Sequence, residues 1–93
     1  MPRYTVRIEL PNADYDDYQS LHERMSNNRF HKYIKSDDGV WFNLPDAEYN
    51  YDGDLDIDGV FQSAVNVAKS VKANAKVLVT ESAGRKWSNL DKI

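Results

Sequence analysis

Residues 3–10 alternate without a break. Tyr4, Val6, Ile8 and Leu10 fall on one side, and Arg3, Thr5, Arg7 and Glu9 on the other. A period of two puts the apolar set on one face of a pleated strand, so this strand belongs to a sheet buried on one side. Such a sheet needs a covering layer, and two segments supply it. In residues 15–27, Tyr15, Tyr18, Leu21, His22 and Met25 recur at helical spacing, with Asp14 placed to cap the first free amides. In residues 57–73, Ile57, Val60, Phe61, Ala64, Val67, Ala68 and Val71 form a second helical stripe. Aspartates precede that stripe and lysines close it, as the helix dipole favours.

The remaining strand signals complete the order. Residues 29–36 and 40–45 read as two strands of a hairpin joined by Ser36-Asp37-Asp38-Gly39, with Pro45 ending the second. Phe30 and Ile34 share one face of the first, and His31, Tyr33 and Lys35 the other. Residues 46–55 read as an acidic, tyrosine-bearing loop with room for a short strand at Glu48–Tyr51, and Lys76–Thr80 as a last strand. The succession β-α-β-β-α-β predicts an α+β domain, the ferredoxin-like sandwich: a four-stranded antiparallel sheet with two helices on one face. Ninety-three residues hold one such domain, 1–93, with its core in 3–81 and a C-terminal extension, 82–93. Trp87, Leu90 and Ile93 are the extension's apolar anchors, fit to pack on the domain or on a partner.

Cysteine is absent, which excludes disulfides, thiolate metal sites and cysteine nucleophiles. No apolar run exceeds three residues, as in Val77-Leu78-Val79, so no membrane span is expected. The first residues enter a strand pattern at once, which leads to the expectation of a cytoplasmic protein. The net charge of −3 is unevenly distributed. Residues 1–35 carry about +1, residues 36–68 carry −8 with no lysine or arginine, and residues 69–93 carry +4. An acidic middle repels phosphate backbones while the two ends attract them, and the overall balance opposes strong non-specific nucleic-acid binding.

Asp54-Leu55-Asp56-Ile57-Asp58-Gly59 matches the first half of an EF-hand loop. The glutamate that should stand twelfth is Val65, on the helical stripe, so helix capping is preferred to calcium binding; no metal site and no cofactor are predicted. No Gly-rich phosphate loop is present. The uncovered sheet face is the richer candidate. It would carry Thr5, Arg7, Glu9, His31, Tyr33, Lys35, Trp41 and Asn43, and aromatics among basic groups stack bases and hold phosphates. Gly39-Val40-Trp41-Phe42-Asn43-Leu44 fails the signature of an RRM third strand. The alternative is that Tyr33 and Trp41 are buried between two copies in a homodimer across these faces.

Four segments carry a resemblance: Arg3-Tyr4-Thr5-Val6-Arg7-Ile8-Glu9-Leu10, Tyr18-Gln19-Ser20-Leu21-His22-Glu23-Arg24-Met25, Leu44-Pro45-Asp46-Ala47-Glu48-Tyr49 and Val77-Leu78-Val79-Thr80-Glu81-Ser82. On them the chain resembles the GhoS endoribonuclease-antitoxin family of bacterial type V toxin–antitoxin systems and its relatives. The resemblance implies a ferredoxin-like fold similar to the small CRISPR-adaptation nucleases, and cleavage of a toxin's messenger RNA. Those nucleases carry an acidic residue near the end of the first strand, where Glu9 stands. The sequence reading is therefore a small antitoxin-like protein acting on mRNA. Arg7 would hold a phosphate, His31 or Glu9 would move a proton, and Tyr33, Lys35 and Trp41 would bind RNA. A non-catalytic homodimeric interaction module is the alternative.

Overall fold

The computed structural model describes residues 3–93. The first strand, β1 (Tyr4–Glu9), runs through the middle of a sheet whose other members are β2 (Phe30–His31), β5 (Glu48–Tyr51) and β6 (Lys76–Glu81). The spatial order is β2-β5-β1-β6 and all three pairings are antiparallel. Two helices, α1 (Tyr15–Ser26) and α2 (Ile57–Val71), cover one face. The expected α+β class, the four-stranded antiparallel sheet and the two-helix layer are thus present.

The helices begin where their caps dictate. The Asp14 carboxylate accepts the Asp17 amide at 2.9 Å and the Asp17 carboxylate accepts the Asp14 amide at 3.2 Å, a reciprocal capping box. Asp56 caps α2 by accepting the Gly59 amide at 2.9 Å, and Val65 lies within the helix. Tyr4, Val6 and Ile8 from β1 meet Leu21 and Met25 from α1 and Val60, Ala64 and Ala68 from α2, all buried. Each such Val, Ile or Leu contributes about 1.5–3 kcal/mol by leaving water. The Arg24 guanidinium donates to the Ser70 carbonyl and hydroxyl, and Lys72 reaches Asp17 at 3.6 Å, tying the two helices together. Among the described residues, no helix is long and apolar enough to cross a membrane.

The middle of the chain corrects the sequence reading. The predicted hairpin exists, as β3 (Tyr33–Lys35) and β4 (Trp41–Asn43), but it forms its own two-stranded sheet. The third strand of the main sheet is Glu48–Tyr51 instead. The cause is a bend at Lys32, whose carbonyl accepts the Leu44 amide at 2.8 Å. It separates Phe30, which joins the main core, from Ile34, which is buried outside it. The two do not share a face as the alternation suggested.

The sheet face away from the helices is not left open either. Residues 82–93 run back over it. The Ser82 and Thr5 hydroxyls meet at 3.3 Å, and the Arg85 guanidinium donates to the Asn50 side-chain oxygen at 2.6 Å. Trp87 packs edge-on against Phe42, with ring centres 5.5 Å apart. The Asn43 amide donates to the Asp91 carbonyl, and the Ile93 amide to the Trp41 carbonyl. Ile34, Leu44, Trp87 and Leu90 thus line a second, smaller apolar layer over Thr5 and Glu48. Trp87 and Leu90 act as anchors; the Ile93 side chain stays exposed.

Candidate nucleic-acid interface

The hairpin turn sets the interface. Gly39 has φ +87°, a left-handed conformation that costs glycine little, and its amide donates to the Ser36 carbonyl. The Ser36 hydroxyl contacts the Asp38 carboxylate, which holds the Asp38 carboxyl below its ordinary range. This turn fixes the register Tyr33↔Asn43 and Lys35↔Trp41. Residues Tyr33, Lys35 and Trp41 consequently emerge on one side of the small sheet, and Ile34 and Phe42 on the other.

On that side an aromatic run forms. The His31 ring stacks on Tyr33, with centres 4.9 Å apart and planes 15° from parallel. Tyr33 meets Trp41 edge-to-face at 5.1 Å, and the Lys35 ammonium lies 5.6 Å from the Trp41 ring centre. Tyr33 is 36% and Trp41 43% exposed, so both rings are open to a ligand. With Arg3, Asn50, Asp52 and Arg85 they line a concavity of about 430 Å³. Gly53 also lines it, and a Cβ there would run into the Tyr51 phenol, which would have to shift to admit it. A volume of this order suits a nucleotide-sized ligand.

The groove is cationic. Arg3, Lys35 and Arg85 line it, and among the described residues none of them forms an ion pair. Arg85 is held by a neutral amide rather than a carboxylate, and its Nε is buried without a hydrogen-bond partner. Burial, and then the neighbouring Arg3 charge, push its guanidinium below the ordinary range. A desolvated cation facing another cation attracts an anion strongly.

Of the predicted site residues, His31, Tyr33, Lys35 and Trp41 come together here. Arg7 and Glu9 do not. They line a separate cleft of about 470 Å³ with Tyr15, Tyr18, Gln19, His22 and Asp46. His22 on its wall meets the phenol of the fully buried Tyr49 through Nδ1 at 2.6 Å. The phenol can donate to or accept from Nδ1, so the imidazole tautomer sets the direction of this bond. Burial, then the Lys32 charge, lowers the His22 pKa, with Asp46 opposing. Lys32 itself bonds Asp46 at 3.0 Å and keeps that carboxyl below its usual range.

Sequence reasoning missed Arg3 and Arg85. Arg3 shares the parity of Arg7 and was findable on the same strand face. Arg85 stands in a segment without periodicity, and only its basic surroundings pointed to it. No family model matches the chain, and no curated protein matches it.

Proposed function

We propose that this is a small RNA-directed, antitoxin-like protein that holds a short single-stranded segment in the groove of His31, Tyr33 and Trp41. The observation that carries the reading is the aromatic run flanked by Arg3, Lys35 and Arg85, cations without carboxylate partners. Unstacked bases lie on aromatic faces whatever their identity, and the cations follow the backbone phosphates. A duplex keeps its bases paired and cannot offer them to such rings. Cleavage of the held strand, the activity that the resemblance implies, falls in this reading to His31. It is the one imidazole lining the groove, a group that can both accept and donate a proton. Arg7 and Glu9, apart from the groove, take no part in holding the strand.

We also infer a ferredoxin-like ancestry with the hairpin inserted between the second and third sheet strands. Setting β3 and β4 aside, the sheet strands stand in the order second, third, first, fourth, which supports this kinship.

The test is titration of a fluorescently labelled single-stranded RNA, with the matching duplex as control. Tighter binding of the single strand, weakened at least tenfold by Trp41→Ala, is expected. With three phosphate contacts, the affinity should fall with salt at a log–log slope of about −2. Absence of single-strand binding at low salt overturns the reading.

A further inference from the structure

Strand β6 is an edge. Its inner side bonds to β1 over six residue pairs, from Tyr4↔Glu81 to Glu9↔Lys76, and among the described residues nothing pairs with its outer side. Soluble proteins blunt such edges with proline, bulges, inward charges or short length. This one has none of these along Val77-Leu78-Val79, and Leu78 at its middle is 62% exposed.

Leu78 stands opposite Arg7 on the face away from the helices, and on the other face of the same edge the helix adds apolar surface of its own. α2 packs on β6 and β1 while α1 packs toward β2. Ser70 marks the side of α2 that faces α1, through Arg24. Ile57 and Phe61, 41% and 45% exposed, lie on the opposite side and overhang the free edge.

We propose that a second copy of this chain docks at β6, joining two four-stranded sheets into one of eight strands about a two-fold axis. Three observations select this occupant. The first is register. A two-fold perpendicular to the sheet keeps each face, so residues of equal parity stand opposite one another. Centring the axis on Leu78 pairs Leu78 with its own copy, Val77 with Val79 and Lys76 with Thr80; every apolar residue meets an apolar one. The second is spacing. Two helices over four strands leave one helix per two strands, about 10 Å apart. A copy added at β6 continues that interval, so the two α2 helices meet at packing distance. The third is charge. The two α2 helices run antiparallel, which sets Asp54, Asp56 and Asp58 at the start of one toward Lys69 in the last turn of the other, Lys72 being held by Asp17 on the α1 side. The dimer leaves the aromatic groove free, because the groove lies toward β2 at the far end of the sheet, so this inference and the proposed function stand or fall separately.

The absence of cysteine allows a direct test. Opposed strand residues have Cα atoms about 4.5–5.5 Å apart, within disulfide reach. Leu78→Cys should therefore form a covalent dimer on mild oxidation. Thr80→Cys should not, since Thr80 and its copy would be about 13 Å apart in this register. Sedimentation of the unmodified protein should give a dimer mass rather than 10.7 kDa. Leu78→Lys, which sets two ammonium groups face to face, should give a monomer with an unchanged circular dichroism spectrum. A wild-type monomer at millimolar concentration overturns the proposal. So does a dimer that survives Leu78→Lys, or one in which Thr80→Cys cross-links as readily as Leu78→Cys.

Discussion

The Tyr49 phenol, fully buried beneath the sheet, bonds His22 Nδ1 at 2.6 Å and so ties α1 to β5 through two polar side chains in an apolar setting. This contact makes stability depend on pH in one direction. Burial lowers the folded-state pKa of His22, so above its ordinary value near 6.5 both folded and unfolded chains hold it neutral. Below that value the unfolded chain takes up the proton first. Stability contributed by His22 is therefore complete above pH 6.5 and declines as the pH falls toward the folded pKa. Urea midpoints at pH 7.5 and 5.5 should differ more for the wild type than for His22→Gln. An equal difference in both would show that His22 is not the cause.

Arg85 separates binding from stability. Its guanidinium is desolvated, lacks an acidic partner and stands near Arg3. Arg85→Met keeps much of the side-chain bulk and removes the charge. Replacing a half-buried ion held by one neutral hydrogen bond with an apolar group of similar size offsets the lost Asn50 contact by relieving the desolvated charge. Denaturant unfolding should thus show no loss, while affinity for single-stranded RNA should fall tenfold or more. A stability loss with affinity retained would give Arg85 a purely structural role.

The two tryptophans should behave oppositely. Trp87 packs on Phe42 inside the second apolar layer, so Trp87→Ala should cost about 2–3 kcal/mol and expose residues 82–93 to protease. Trp41 lies on the accessible side, so Trp41→Ala should change stability by less than about 1 kcal/mol and weaken base stacking instead. Thermal melts and RNA titrations of the two variants test this contrast.

Ala47 adopts φ +66° where the chain enters β5, its carbonyl accepting the Ile8 amide at 3.0 Å. A Cβ is disfavoured in that left-handed region. Ala47→Gly should raise stability by about 0.5–1 kcal/mol, read from the denaturation midpoint.

The local elements of this protein are written plainly in its residues, because caps and periodicity act over a few positions. Asp14, Asp56 and Gly39 each announce a boundary that the structure keeps. Strand partnership is another matter. The alternation at Val40, Phe42 and Leu44 reveals a pleated strand but not which neighbour it bonds. The strand that takes its place in the main sheet, Glu48–Tyr51, hides its buried face in two tyrosines among acidic residues. The aromatic half of the site followed from the hairpin, whose register is local. Its separation from Arg7 and Glu9 did not, since that depends on a bend at Lys32 that no turn residue signals. Arg85 reaches the groove only through the return path of residues 82–93, a long-range arrangement without a local signature.

The hairpin borrows its backing from residues 82–93 instead of sharing the ladder of the main sheet. Its amides should exchange with deuterium sooner than those of the central strand, since it can detach as a unit while the helix-covered sheet persists. The surface offered to a nucleic acid thereby has its own opening equilibrium. An incoming strand that fastened this unit in place would register as slower exchange there, with little change in the melting of the whole.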